Sequence, residues 1–171
     1  MFISPFILDF RERMQIDGKM ISPEALASCV EEVRREADQM AAEGRQPTEF
    51  ELVCATAFVW FAREQCEVVV LEAGIGGRLD STNVIPAPEV AVITNIGLEH
   101  VEQLGDTHAK IAGEKAGIIK PNTLVVSAHQ EPEAAQVIEE TCQRQHSGLQ
   151  VVDESQLRDV HYGADMQTFS Y

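Results

Sequence analysis

The sequence predicts a three-layer α/β fold with a mostly parallel sheet. Residues 68–71, 90–93 and 124–126 are continuous apolar runs, and such runs are typical of central strands covered on both faces. Amphipathic segments near residues 107–116 and 131–145 fall between or after them. Alternation of apolar strands with helices favours a parallel sheet.

Two longer helices are predicted before the first strand. Ser22 and Pro23 are typical of an N-cap and the first helical position, and Gly44 is typical of a helix end. A second helix is predicted over residues 48–64, whose apolar positions cover a wide arc. Residues 160–171 have a weak pattern that is compatible with the start of a strand pair.

The composition of the chain argues against nucleic-acid binding, disulfide formation and membrane insertion. The chain has 171 residues and a formal net charge of −15, which disfavours nucleic acid because its phosphates would be repelled. Four cysteines without a C-x-x-C pair indicate free thiols in a reducing cytoplasm. No apolar stretch approaches the ~20 residues of a membrane span, and the N-terminus lacks the features of a signal peptide. We therefore expect a cytoplasmic protein that binds neither membranes nor nucleic acid.

A glycine-rich segment follows the first predicted strand. It begins at Glu72, has glycines at 74, 76 and 77, and continues to Asn83 in small polar residues. The spacing differs from G-x-G-x-x-G and resembles the first loop of many methyltransferases. About a dozen residues separate the glycines from the next strand, which leaves little room for the crossover helix that a methyltransferase needs. A shaped binding loop is the favoured interpretation, and a generic tight turn is the alternative.

Polar clusters also follow the second and third predicted strands, at residues 94–100 and 127–130. Ligands of such sheets bind at the carboxyl ends of the strands. A carboxylate at Glu72 and an imidazole at His100 on one rim form a plausible metal pair, although a lone histidine is more often structural. Lys115 lies in the last turn of a predicted helix with Gly117 as its C-cap, and spacing alone does not single it out.

Taken in order, five segments resemble motifs of the folylpolyglutamate synthase/dihydrofolate synthase family, a branch of the Mur ligase superfamily. They are SPFILDFRERMQIDGKMIS, TEFE, VVLEAGIGGRLDSTNVI, VITNIGLEHVEQLGDT and EKAGIIKP. The resemblance runs from Ser4 to about Asp153, and the third and fifth segments are specific in combination. It implies the Mur ligase central domain, which has a P-loop-type ATPase fold.

The resemblance also implies a reaction. ATP phosphorylates a carboxylate, and the amino group of glutamate attacks the acyl phosphate to form an amide, while Mg²⁺ neutralises the phosphates. The small-molecule substrates would be ATP, glutamate and either dihydropteroate or tetrahydrofolate. The residues fit addition of the first glutamate, of further glutamates, or both.

Site residues follow from the same resemblance. Ser4, Glu72 and His100 would be magnesium ligands converging on one pocket, and Lys115, carbamoylated in the family, would lie in the same cleft as His100. Two short stretches would line the pteroate site. Their members are Thr48, Glu49, Phe50, Glu51, Leu79, Asp80 and Ser81.

The sequence departs from the family in three places, one of which is Phe6, where family members often have histidine. No G-x-x-x-x-G-K-[ST] phosphate loop occurs, and the family's C-terminal domain is not represented. We therefore expect residues 1–171 to form one partial ATPase domain that is inactive alone. A non-catalytic scaffold that kept the ligase fold is the alternative function.

We predict that the 171-residue chain alone does not turn over ATP. The phosphate loop supplies backbone N–H groups and a lysine that compensate phosphate charge, and losing such donors costs about 3 kcal/mol or more of transition-state stabilisation. The measurement is phosphate release from ATP with dihydropteroate and glutamate present. Turnover at an ordinary enzymatic rate would contradict this expectation.

Overall fold

The computed structural model of the protein describes residues 1–171, which form two compact units. The first unit consists of Met1–Ile75 and Asp80–Val84, and the second of Gly76–Leu79 and Ile85–Tyr171. The glycine-rich segment therefore contributes residues to both units.

In the first unit, a 3₁₀ helix (Phe10–Arg13) precedes a small antiparallel hairpin, β1 (Gln15–Ile16) and β2 (Lys19–Met20). Its two turn residues, Asp17 and Gly18, have φ of 49° and 72°. Two successive residues with positive φ are characteristic of a tight hairpin turn whose twist matches that of the strands, and Asp-Gly is a preferred pair there.

Two helices follow, α1 (Pro23–Ala42) and α2 (Glu49–Arg63). The predicted cap Ser22 is confirmed, because its side chain accepts a hydrogen bond from the backbone N–H three residues on. The predicted start of α2 near Thr48 is confirmed as well, and the Thr48 side chain caps that helix in the same way. Gly44, with φ of 80°, lies just beyond the end of α1.

The helices enclose the core of the first unit. The buried apolar side chains there are those of Phe2, Met14, Ile21, Cys29, Val53, Cys54, Ala57, Trp60 and Phe61. Six residues of α2 are buried, as its wide apolar arc predicts. Burial raises the pKa of the Cys54 thiol to about 12, so this cysteine stays protonated and acts as a small apolar side chain.

The strand predicted over residues 68–71 is wrong. Only Leu71 forms a bridge, parallel to Phe2, and the N–H of Phe2 donates to the carbonyl oxygen of Val70 at 2.8 Å. The side chains of Val68 and Val70 are 83% and 62% exposed. An apolar run indicates that a segment is suited to a buried strand, but a strand also requires hydrogen bonds to a neighbouring strand. Here only Phe2 provides such a neighbour, so no strand forms.

The second unit contains the parallel sheet. Its elements in chain order are β3 (Val90–Ile93), α3 (Val101–Leu104), α4 (His108–Lys115), β4 (Leu124–Ser127), α5 (Pro132–Gln145) and β5 (Gly148–Val151). The strands are ordered β3-β4-β5, and both pairs are parallel. The predicted class, α/β with a parallel sheet, is therefore confirmed.

One face of this sheet carries the core of the second unit. Ala91, Ile93 and Val125 are buried in one cluster with Ile111 of α4 and Ile138 of α5. Alternate residues of the strands point the other way, and three of them are exposed. They are Val90, Val92 and Leu124.

The unit ends in an antiparallel hairpin, β6 (Arg158–Tyr162) and β7 (Gln167–Ser170), so the predicted strand pair is present. The sequence analysis missed β5, because Gly148 and Gln150 interrupt any apolar run there. Across the chain, the structure contains no helix with both the length and the apolar character of a membrane span.

Replacement of Ile111 by alanine should destabilise the second unit, because this side chain is fully buried at 0% exposure. Truncation of such a side chain costs about 2–5 kcal/mol. Urea unfolding followed by circular dichroism measures the change. Val92→Ala is the control, since that side chain is 59% exposed and should change the free energy of unfolding by less than about 0.5 kcal/mol. Equal losses for the two variants would contradict the assignment of this core.

Candidate functional site

Two of the predicted magnesium ligands lie together in the first unit. The backbone N–H of Ser4 donates to Oε2 of Glu72 at 2.7 Å. Phe2 anchors this arrangement, since its backbone bonds flank Glu72 and hold the N-terminal segment alongside it. Oε1 of Glu72 and the hydroxyl of Ser4 make no hydrogen bond and are available to a ligand.

The loop that carries Ser4 is shaped by Glu12. Its carboxylate accepts the backbone N–H groups of Ile7, Leu8 and Asp9 at 2.8–2.9 Å. These three donors hold the pKa of Glu12 below its usual value, because they stabilise the ionised form. A single carboxylate thus satisfies three successive amides of the loop.

A second carboxylate, Asp80, organises the glycine-rich segment. Its Oδ2 accepts the N–H groups of Gly74 and Ile75 at 2.8 and 2.9 Å. Its Oδ1 accepts the N–H and the hydroxyl of Thr82 at 2.9 and 2.6 Å. Asp80 is 7% exposed, so this side chain serves the loop itself, and its contact with a substrate stays a prediction.

The predicted pteroate residues at the start of α2 have distinct surroundings. Thr48 donates its N–H and hydroxyl to Glu51, so these two side chains satisfy each other. The ring of Phe50 lies against Gly74, where an added Cβ would stand 2.4 Å from the ring. Gly74 is therefore required by the aromatic ring that packs on it.

The other predicted substrate residues are more open. Glu49 is exposed in the first turn of α2, and Ser81 begins a short 3₁₀ turn over Ser81–Val84. Leu79 belongs to the second unit and is 81% exposed. Their contacts with a substrate stay predictions.

In the second unit, the glycine-rich segment packs on the end of α4. The N–H of Arg78 donates to the carbonyl oxygen of Glu114 at 2.8 Å. The guanidinium of Arg78 also donates to both carboxylate oxygens of Glu114 at 2.9–3.2 Å. A Cβ on Gly77 would stand 2.8 Å from the carbonyl oxygen of Lys115, so only glycine fits there.

Gly117 has a different role from the one predicted. The sequence predicts it as the C-cap of α4, but the helix ends at Lys115 and continues into a 3₁₀ turn over Ala116–Ile118. Gly117 does not have positive φ. A Cβ there would lie 2.3 Å from Cβ of Arg78, so the glycine allows close approach of two segments instead of ending a helix.

Lys115 is held by a carboxylate. Its Nζ lies 3.0 Å from Oε1 of Glu99, and the lysine side chain is 24% exposed. Glu99 directly precedes His100, which is exposed and has φ of 50°. The ion pair thus joins the end of α4 to the loop that carries His100, while a shared cleft for Lys115 and His100 stays a prediction.

Gln130, which follows β4 in the chain, fixes the same loop through its side-chain amide. Its Oε1 accepts the N–H of Ile96 at 3.0 Å, and its Nε2 donates to the carbonyl oxygen of Thr94 at 2.9 Å and to Ser127 at 3.2 Å. The residue is 8% exposed. The polar cluster after the third strand pointed to this position, but only the fold shows that it positions the loop after β3.

The donor set fits magnesium in part. Glu72 and Ser4 offer hard oxygens, which Mg²⁺ prefers, and Mg²⁺ usually keeps waters and takes substrate phosphates as its remaining ligands. No group of three or more His, Cys, Asp or Glu side chains that could hold a metal occurs in residues 1–171. Glu72 and His100 belong to different units, and their convergence stays a prediction.

The sequence analysis did not single out Arg13. Its guanidinium carbon lies 5.3 Å from the ring centroid of Phe6 and 5.6 Å from that of Phe10. Its Nε is buried and has no hydrogen-bond partner. A buried donor without a partner costs about 1–3 kcal/mol, so this side chain is an exception that needs a reason.

Comparisons with known proteins identify relatives. Residues 24–170 match the Mur ligase middle domain. The dihydrofolate synthase/folylpolyglutamate synthase of Bacillus subtilis is 43% identical over 151 residues, which are 87% of this chain and 35% of that protein. The apo form of Lacticaseibacillus casei folylpolyglutamate synthase (FPGS) has a TM-score of 0.90 and 37% identity, over 98% of this chain and 42% of that one.

A structure of an FPGS–AMPPCP–folate complex is similar as well. It has a TM-score of 0.91 and 38% identity, over 98% of this chain and 42% of that chain. The chain therefore spans about a third of the B. subtilis relative and two fifths of the solved FPGS chains.

The contact between Gly117 and Arg78 generates a prediction about stability. Gly117→Ala should destabilise the second unit by about 1–3 kcal/mol, because the added methyl group overlaps Arg78. Gly113→Ala is the matched control, since it lies inside α4 with nothing within 4 Å of its Cβ position. Alanine there should be neutral or stabilise the helix by up to about 1 kcal/mol. Urea unfolding measures both variants, and equal effects would show that the close approach does not exist.

Proposed function

Since this chain belongs to the Mur ligase family through its middle domain, we propose that it is the central part of an ATP-dependent ligase that joins glutamate to a folate-type carboxylate. The observation that carries the proposal is the match over 98% of the chain to an FPGS bound to AMPPCP and folate. The similarity to a dihydrofolate synthase/folylpolyglutamate synthase supports the same reaction class.

The proposed chemistry follows from the reactants. A carboxylate is a poor electrophile, so its oxygen first attacks the terminal phosphorus of ATP and forms an acyl phosphate with release of ADP. The neutral amine of glutamate then attacks the acyl carbon, phosphate leaves, and an amide remains. Residues of the ligase outside these 171 would cradle the ATP phosphates, because the chain contains no phosphate loop.

Within this chain, Ser4, Glu72 and His100 are the proposed magnesium ligands. The contact between Ser4 and Glu72 supports two of them, since it leaves one carboxylate oxygen and the hydroxyl uncommitted. Bound Mg²⁺ would supply charge neutralisation at the transferring phosphoryl group. Glu72 is oriented for that role by the backbone of Ser4.

Lys115 is the proposed site of carbamoylation. The structure gives the lysine a carboxylate partner, Glu99, at 3.0 Å. Carbamoylation converts a cation into an anion, so the modified side chain would be repelled by Glu99 unless a cation stood between them. The modification is therefore coupled in this proposal to metal binding in the intact ligase.

The pteroate site is proposed at residues 48–51 and 79–81. Phe50 supports this, because its half-buried ring lies against Gly74 and brings the start of α2 next to the glycine-rich segment. Either dihydropteroate or tetrahydrofolate fits the proposal.

A chimaeric ligase tests the proposed function. The matched residues of the B. subtilis relative are replaced by the corresponding residues of this chain, and amide formation is measured with ATP, glutamate and dihydropteroate or tetrahydrofolate. We expect product with each substrate that the parent accepts. Glu72→Gln in the chimaera should lower kcat by about a hundredfold, because phosphate charge is then poorly compensated.

The control variant is Glu67→Gln, which changes an exposed carboxylate that makes no hydrogen bond. It should leave kcat within about twofold, as surface substitutions usually do. A chimaera that melts in a single cooperative transition but forms no amide would refute the proposed function. Equal losses for Glu72→Gln and Glu67→Gln would refute the metal role of Glu72.

A further inference from the structure

We infer that Arg13 is an oxyanion-binding residue of this ligase, which takes a carboxylate or phosphate group of a substrate. The inference rests on the proposed function for the identity of the substrate and on the structure of the first unit for the site. Nothing in the reaction roles proposed above uses this side chain.

Arg13 is unlike the other arginines of the chain. Each of the others donates from its guanidinium to an acceptor within the protein. The pairs are Arg11 with Asp9, Arg34 and Arg35 with Glu31, Arg45 with Glu43, Arg63 with Glu32, Arg78 with Glu114, Arg144 with Thr141 and Arg158 with backbone carbonyls. The guanidinium of Arg13 donates no hydrogen bond, and its Nε is buried.

Three carboxylates of the first unit have hydrogen-bond partners other than Arg13. Asp9 accepts from Arg11, and Glu12 accepts three backbone N–H groups of the loop. Asp80 accepts four hydrogen bonds within the glycine-rich segment, from Gly74, Ile75 and Thr82. Arg13 therefore has no hydrogen-bond acceptor within the protein, and its N–H groups are free for an acceptor supplied by a ligand or by water.

The aromatic rings leave the binding edge of Arg13 open. The ring centroids of Phe6 and Phe10 lie 5.7 Å apart, and the rings meet edge to face. The guanidinium carbon of Arg13 is within 5.6 Å of both centroids. Contacts with aromatic rings use the cation's charge, whereas its N–H groups lie in the plane of the guanidinium. Only Nε is among the buried atoms without a partner, so the two Nη atoms reach solvent.

The position of Arg13 ties it to the proposed site. Its carbonyl oxygen accepts the N–H of Ile3 at 3.0 Å, and Ile3 directly precedes Ser4. The arginine thus pairs with the segment that brings Ser4 to Glu72. A planar fork of donors that is pre-oriented by two rings suits a carboxylate or a phosphate, both of which accept two parallel N–H bonds.

The test observes the Arg13 side chain directly in the 171-residue chain. Arginine is labelled with ¹⁵N, the Nε–Hε resonance of Arg13 is assigned from its loss in Arg13→Lys, and three probes are titrated. They are tripolyphosphate, glutamate and pteroate. We expect a saturable shift of this resonance with at least one probe and a dissociation constant about tenfold weaker in Arg13→Gln.

Two variants control the result. Arg13→Lys keeps the charge but lacks the fork, so it should bind more weakly than the native chain and more tightly than Arg13→Gln. Arg45→Gln removes an exposed arginine paired with Glu43 and should leave the dissociation constant unchanged. Circular dichroism melting shows which variants are folded. If Arg13→Gln is unfolded, the titration of the native chain alone decides whether Arg13 binds an anion.

The probes separate the two sources of the anion. A shift with tripolyphosphate alone assigns a nucleotide phosphate, and a shift with glutamate or pteroate alone assigns a substrate carboxylate. No saturable shift at Arg13 with any probe would overturn the proposal. Failure of the proposed function is distinguishable from failure of this inference. A folded chimaera that forms no amide, together with saturable binding at Arg13, would refute the ligase reaction and support the anion site.

Discussion

The close approach of the glycine-rich segment to the end of α4 is the constraint on which the site in the second unit depends. Gly77 and Gly117 each lack the Cβ that would collide with the opposing segment, and Arg78 then reaches Glu114 through backbone and side chain. This contact fixes the end of α4, and with it Lys115. The ion pair of Lys115 with Glu99 then links the end of α4 to the loop after β3.

In the first unit, carboxylate side chains satisfy the backbone N–H groups of two loops. Loops rich in glycine or proline leave backbone N–H groups without partners in regular structure, and such groups must be satisfied. Glu12 serves three amides of the N-terminal loop, and Asp80 serves two amides of the glycine-rich segment and one of Thr82. Glu12 and Asp80 thus shape loops, whereas Glu72 keeps one carboxylate oxygen without a hydrogen bond.

Local features of the fold were predictable from sequence and tertiary ones were not. The caps Ser22 and Thr48 act on residues three positions away, so the starts of α1 and α2 followed from the sequence. The failed strand at 68–71 and the reassigned Gly117 both depend on segments distant in sequence. The unpaired state of Arg13 has the same cause, because no sequence pattern reveals which carboxylates are already engaged.

The central proposal is that this chain is part of a ligase that activates a carboxylate as an acyl phosphate. Transfer of ¹⁸O tests it most directly in the chimaeric ligase that carries this chain. The substrate carboxylate is labelled with ¹⁸O, and the phosphate released during amide formation is analysed by mass spectrometry. We predict that each phosphate carries one ¹⁸O atom from the carboxylate. Amide formation with unlabelled phosphate would contradict it.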